Sequence, residues 1–195
     1  KRAISGDPSW NALLNGGSVS ASGAFVDVKS AESITAVYAA VQTLAESTAC
    51  LPLHVYQRQD NGERQRADDY SLARVLRQPN PHQSGLTFRE EMTAAVLLHG
   101  NAYARMETNG AGELVGLHPI HPRNMTISRL SSGRYAYDYT DDDGKVVRLL
   151  QGEVFHLRDR AEPGSILGRS RIAIARDTLG LGLSLREHGA STFRN

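Results

Sequence analysis

The chain has 195 residues, of which 40% are apolar, and a formal net charge of +1. That is enough for one domain, or one and a half, with a core of its own, and it excludes a disordered chain. The charge balance excludes a strongly basic nucleic-acid clamp, because phosphate affinity grows with the number of positive contacts; a few local contacts stay open.

Lysine occurs at Lys1, Lys29 and Lys145 alone, and arginine carries the other positive charges, from which no chemistry follows. The one cysteine, Cys50, cannot form an internal disulfide, which excludes a disulfide-stapled secreted scaffold. At the end of an apolar helix it is expected to be a buried, inert thiol. No run of about 18 apolar residues is present, so no membrane-spanning helix is expected. Ala12–Leu14 is too short for the apolar core of a secretory signal, and a cytoplasmic or virion setting fits.

Residues 1–29 are rich in Gly, Ser, Ala and Asn. They read as a flexible N-terminal arm with anchors at Trp10, Leu13 and Leu14, one that a partner could order. Ser33 to Tyr56 reads as the unit on which the rest packs. Ile34, Val37, Tyr38, Val41, Leu44, Ala45 and Thr48 recur at helical spacing. Ser30 or Ser33 is expected to cap this helix. Pro52 stops it near Ala49 or Cys50, and Leu53 to Tyr56 follows as a strand.

Asp60-Asn61-Gly62 turns a hairpin between Val55–Arg58 and Glu63–Arg66. Ser71–Arg77 is a short helix with Leu72, Val75 and Leu76 on one side, ended by Pro79-Asn80-Pro81. Thr87-Phe88-Arg89-Glu90 reads as a capping box. It opens a helix with Phe88, Met92, Ala95, Val96 and His99 on one face, closed by a left-handed Gly100. Asn101–Glu107 and Leu114–Ile120 read as strands joined through Asn109-Gly110. Met125, Ile127 and Arg129 continue extended. Tyr135, Tyr137 and Tyr139 share one side of a further strand, with Val146, Arg148 and Leu150 on its partner and Asp141–Gly144 as the turn. Glu153–Leu157 is one more short strand.

Gly164–Gly168 reads as a flexible link. Ser170 is expected to cap a last helix running to about His188, with Gly189 as terminator. Apolar groups lie nearly all round that helix, which predicts burial on most sides. Gly180 and Gly182 inside it predict a bend or the close approach of another backbone. No polar tail follows the helix, and the natural protein is expected to continue past Phe193-Arg194-Asn195.

No constellation of residues carries chemistry on its own. His118 and His121 stand at a metal-like spacing, but Pro119 and Pro122 fix an extended backbone and no acidic or Cys cluster joins them; a rigid strand exit is the better reading. Asp141, Asp142 and Asp143 lack the alternating spacing of a calcium loop and read as a solvated turn. Gly168-Arg169-Ser170-Arg171-Ile172 lacks the second glycine of a nucleophile elbow. Gly110, Gly112 and Gly116 have the wrong spacing for a dinucleotide loop, and no Walker-type loop occurs. His156 reads as a hydrogen-bonded structural histidine. The arginines from Arg158 to Arg176 alternate with Asp159, Glu162 and Asp177, which favours a salt-bridged face over a nucleic-acid patch. The residues alone therefore give an α+β domain over residues 30–195: an antiparallel sheet region flanked by amphipathic helices, with no catalytic, cofactor-binding or metal site and no assignable DNA-contacting residue.

Seven segments, in order along residues 30–195, resemble the portal proteins of tailed bacteriophages of the Hong Kong ninety-seven type. Val37-Tyr38-Ala39-Ala40-Val41, leading to Leu51-Pro52-Leu53-His54-Val55-Tyr56, is similar to the family's first helix and strand. Leu76-Arg77-Gln78-Pro79-Asn80-Pro81 resembles its "PNP" link, and Gly100-Asn101-Ala102-Tyr103 its "GNAY" junction. Leu117-His118-Pro119-Ile120-His121-Pro122-Arg123 resembles its proline-spaced strand, with Met125 where valine is commoner. Glu153-Val154-Phe155-His156-Leu157 resembles its "D/E-V-x-H-I" strand. Gly168-Arg169-Ser170-Arg171-Ile172 stands where "GLSPI" is usual and departs from it at both arginines. His188 to Asn195 is similar to the helix end before "FFxNG".

The resemblance implies a structural ring subunit, commonly dodecameric, at one capsid vertex. Double-stranded DNA would pass through the ring, terminase would dock on it first, and head-completion or tail proteins later. It implies no cofactor and no catalysis by the subunit itself, and a location in the virion, with the host cytoplasm during assembly. The family's proteins are longer, so the chain is expected to be their N-terminal, mainly wing-forming part. The competing readings are a duplex-DNA-binding module using Arg158 to Arg176 and an enzyme using His118 or His156.

Overall fold

A computed structural model describes residues 17–141 and 143–194. It divides into two compact units. One draws on Lys1–Thr43, Leu97–Gly100 and Arg158–Asn195, the other on Leu44–Val96 and Asn101–Leu157.

In the first unit, β1 (Ser18–Val19) and β2 (Phe25–Val26) form a short antiparallel hairpin. Helix α1 (Val28–Glu32) follows. Asp27 caps it: its carboxylate accepts the Ser30 N–H at 2.8 Å, and the Ser30 hydroxyl accepts the Asp27 N–H at 2.8 Å. Residues 17–29, read from composition as part of a flexible arm, are thus folded here, because Val26 and Ala31 are buried and the cap satisfies the helix start. The anchors expected at Trp10, Leu13 and Leu14 lie outside the described residues. Ser30 and Ser33 serve α1 rather than the longer helix α2 (Thr35–Ala49), Ser33 as the residue that ends α1. The core of this unit is Val26, Ala31, Leu98, Ile172 and Leu183, with Ile34, Val37 and Val41 packed against it.

Ser170 caps a single short turn, α5 (Arg171–Ile174), and its hydroxyl accepts the Ala173 N–H at 3.2 Å. The long helix α6 (Arg176–Thr192) starts after a break at Ala175 and runs past Gly189. Gly189 does not terminate it, since it does not take the left-handed conformation that a glycine stop needs. Nor is α6 buried on most sides: Gly180 and Leu183 face the core, while Leu181 and Leu185 are exposed. A Cβ on Gly180 would lie 2.0 Å from the Ser20 hydroxyl, so the close approach expected there comes from a side chain. Gly182 has only an ordinary contact, 3.8 Å from Ile34. Gly168, read as part of a flexible link, is instead pinned in an isolated antiparallel bridge with Ala161.

In the second unit, β3 (Tyr56–Arg58) and β4 (Arg64–Arg66) pair as an antiparallel hairpin. Helices α3 (Ser71–Arg77) and α4 (Gly85–His99) follow. The cap of α4 is Ser84, not Thr87: the Ser84 hydroxyl accepts the Thr87 N–H at 3.2 Å. A Cβ on Gly85 would lie 2.0 Å from the Leu76 carbonyl oxygen, so the glycine lets the helix begin one turn earlier. Gly100 closes α4 at φ +77°, as the sequence indicates.

The sheets are β10–β5–β6 and β7–β8–β9, built from β5 (Asn101–Thr108), β6 (Leu114–Ile120), β7 (Met125–Arg129), β8 (Tyr135–Thr140), β9 (Val146–Leu150) and β10 (Val154–Arg158). Strand β5 alternates with period two and is buried on both faces. Ala102 and Ala104 join a core with Val75, Phe88, Met92 and Leu117. Tyr103, between them, joins Tyr137, Leu149 and Val154, against which Tyr135 and Tyr139 also pack. Burying Val75, Phe88, Met92 and Leu117 contributes about 1.5–3 kcal/mol each.

Three inward faces differ from the expected ones. On β9 the inward residues are Val147 and Leu149, while Val146 and Leu150 are exposed. On α3 they are Ala73 and Val75, with Leu72 exposed. The stretch from α2 to β3 is not a buried foundation: Tyr38, Leu44, Leu51, Leu53 and Tyr56 are exposed. The buried residues of α2 are the small Ala45 and Ala49, with Val37 and Val41 half-buried, and the Arg89 guanidinium donates to the Ala49 carbonyl at 2.6 and 3.0 Å. Cys50, just beyond the helix end, is exposed rather than buried.

Candidate functional site

Three histidines and a groove are the features of the second unit with chemical potential. His118 on β6 lies opposite Arg105 and meets the neighbouring Glu107: Nε2 to Oε2 is 2.8 Å, on an open sheet surface. His121 caps a 3-10 turn at Pro122–Asn124, with Nδ1 accepting the Arg123 N–H at 3.1 Å. That bond requires an unprotonated Nδ1. Burial first, and then the Arg123 charge, hold His121 below the ordinary histidine value, against a smaller opposing effect of Glu91. The two histidines thus have separate roles, and among the described residues no group of His, Cys, Asp and Glu is placed to hold a metal ion.

His156 on β10 is built into the core. Its Nε2 lies 3.1 Å from the Asn101 Oδ1, and its Nδ1 lies 3.4 Å from the Tyr137 hydroxyl. Its ring stacks on Tyr103 at a centroid distance of 4.5 Å. Burial raises the Tyr103 phenol above its usual range, with a smaller effect from Tyr137, so it stays neutral. This is the hydrogen-bonded structural histidine that the apolar strand predicts. Its ring joins Asn101 on β5 to Tyr137 on β8.

The groove has no signal in the sequence. It encloses about 820 Å³ beside α3 and β6, with Arg74, Val75, Pro79, Glu107, Val115 and His118 among its lining residues. The link Pro79-Asn80 forms its floor. The Leu117 N–H donates to the Pro79 carbonyl at 2.8 Å, and the buried Asn80 amide donates to the Leu117 carbonyl at 3.0 Å.

In the first unit, the arginine-rich stretch is tied into local ion pairs. Arg171 Nε lies 2.5 Å from the Asp159 Oδ2, and Arg169 lies 3.7 Å from Glu162. The Arg158 guanidinium donates to the Ser165 and Ile166 carbonyls at 3.3 Å. The hydrogen bond from Arg171 lowers the Asp159 carboxyl below its ordinary value, more than desolvation raises it. These arginines therefore hold the 158–171 loop, as the alternation of charges suggests. The Ser170 hydroxyl donates to the Leu98 carbonyl at 2.9 Å, and the Asp159 N–H donates to the Gly100 carbonyl at 2.8 Å. This junction brings together the "GNAY" and "GLSPI" segments, distant in sequence.

A family model described as phage portal protein matches residues 35–195. The chain belongs to the phage portal protein family. Membership gives it a structural role in a phage portal. It is 34% identical over 164 residues to the portal protein of Enterobacteria phage HK97, covering 83% of this chain and 38% of that protein. It is 29% identical over 201 residues to a probable portal protein of Streptomyces phage phiC31, covering 97% of this chain and 42% of that protein. The chain thus spans about two-fifths of the length of these portal relatives. Its fold matches a chain in the neck of an empty gene transfer agent particle with a TM-score of 0.70, at 24% identity, over 83% of this chain and 43% of that one. Among the described residues, no helix of this portal-family chain is long and apolar enough to cross a membrane.

Proposed function

We propose that the chain is the N-terminal, mainly wing-forming part of a subunit that closes with copies of itself into a ring, a dodecamer when full length, at one capsid vertex. Residues 30–195 are its portal-like domain. The hole in the ring conducts double-stranded DNA inward during packaging and outward during ejection. The outer surface receives terminase first, then head-completion and tail proteins. The subunit works as a conduit, without cofactor or catalysis of its own, in the virion and, during assembly, in the host cytoplasm.

The observation that carries this reading is the family match over residues 35–195. The net charge of +1 supports it, since a channel that neutralised many phosphates would hold its cargo instead of passing it. The likeness to a chain in a particle neck supports the ring. The test is a phage in which the gene is silenced. The expected result is particles without nuclease-protected DNA, restored by supplying the protein in trans. Normal DNA content in the silenced phage would refute the reading.

A further inference from the structure

The β3–β4 hairpin pairs with no third strand, and its six strand residues are all exposed. An isolated two-stranded ribbon is marginal in water, because it has no face to bury. Its register sets Tyr56 opposite Arg66 and Arg58 opposite Arg64, so these four share one face, with Gln57 and Gln65 on the other. Like charges directly opposed cost stability. Arg66 is held by Asp68 at 2.8 Å. Among the described residues, the Arg58 and Arg64 side chains have no ion-pair or hydrogen-bond partner. The acids Asp60 and Glu63 flank the turn, where the Asn61 amide donates to Glu63 at 2.9 Å. The approach to the ribbon is apolar: Leu51, Leu53 and Tyr56 are 59%, 51% and 53% exposed. Exposed tyrosine and unpaired arginine together have the makings of a docking face.

The same unit presents opposite charge elsewhere. Asp141 and Asp143 flank the tip of the β8–β9 turn, and neither has a Lys or Arg ion pair among the described residues. The Asp141 carboxylate accepts the backbone N–H groups of Asp143 and Lys145 at 3.1 and 2.8 Å. The unpaired cations and the unpaired anions do not meet within one chain. Two different complementary surfaces on one chain make a head-to-tail contact between copies, which closes into a ring or continues as a filament. We propose that the Arg58 and Arg64 face of the β3–β4 hairpin docks on Asp141 and Asp143 of a second copy. This rests on the ring reading above and gives that ring a specific contact.

The test uses the full-length protein and the thiol of Cys50. Cys50 is exposed and directly precedes Leu51 on the approach to the hairpin, so peptide mapping after maleimide treatment should find it labelled in dissociated subunits and unlabelled in rings. Arg58→Glu with Arg64→Glu keeps the like-charge pair across the hairpin while reversing its sign. The expected result is loss of rings by electron microscopy with an unchanged thermal midpoint of the 195-residue chain, and recovery of rings when Asp143→Arg is added. Intact rings from the double variant would overturn this contact and leave the ring reading standing. Intact rings together with loss of salt-sensitive duplex DNA binding would also overturn it, and would assign the face to nucleic acid. A wild-type full-length protein that forms no ring overturns the ring reading itself.

Discussion

Gly168 sits against Gly100 with no room for a side chain: a Cβ on Gly168 would lie 2.1 Å from the Gly100 carbonyl oxygen and 2.7 Å from the Asp159 nitrogen. Those two atoms already bond to each other at 2.8 Å. Backbone cannot yield there as a flexible side chain could. Gly168→Ala is therefore expected to cost about 3 kcal/mol through overpacking. Urea unfolding of the purified chain measures it, and Gly164→Ala, whose site has open space but a positive φ, separates crowding from backbone strain.

Asn80 matters to the second unit in a similar way. Its amide is the donor to the Leu117 carbonyl within the buried floor of the groove. Asn80→Ala leaves that carbonyl without its donor and is expected to cost about 2 kcal/mol. Hydrogen exchange at the Leu117 amide, which is bonded to Pro79, should rise in step.

The Asp159–Arg171 pair sets an acid limit on stability. Because the folded carboxyl is held below its ordinary value, its contribution is fully present above about pH 3.9, the unfolded carboxylate value, and is lost as pH falls through the lowered one. Wild type should exceed Asp159→Asn in thermal midpoint at pH 7, and the gap should close in strong acid. A gap independent of pH would show that the pair works through packing alone.

His121 acts in a milder range. Its folded value lies below the ordinary one, so the contribution of the neutral ring is present above about pH 6.5 and fades as pH falls through the lowered value, where Nδ1 must give up the Arg123 N–H. His121→Asn keeps a capping acceptor without a proton to gain. The variant is expected to hold its thermal midpoint between pH 7 and pH 5, while wild type declines.

The order and type of the elements were largely legible in the sequence, because the signals were local. Ser71–Arg77, Leu114–Ile120 and the left-handed Gly100 follow from proline stops, period-two alternation and a glycine after a helical run. Inward faces were less legible. Leu44, Leu181 and Leu185 are apolar yet exposed, whereas the small Ala45, Ala49 and Gly180 are buried. Periodicity reports where apolar groups recur and is silent on whether a partner within the chain exists to cover them. The groove was illegible for a related reason: Pro79 and Leu117 meet only through long-range folding. The junction of Gly100 with Gly168 explains in hindsight why two motifs far apart resemble the family together.

The proposed ring holds copies of this fold around a hole. Electron microscopy of the purified full-length protein tests it most directly. Closed rings with a central channel wide enough for duplex DNA are the expected result. A protein that stays a solitary monomer at high concentration would contradict it.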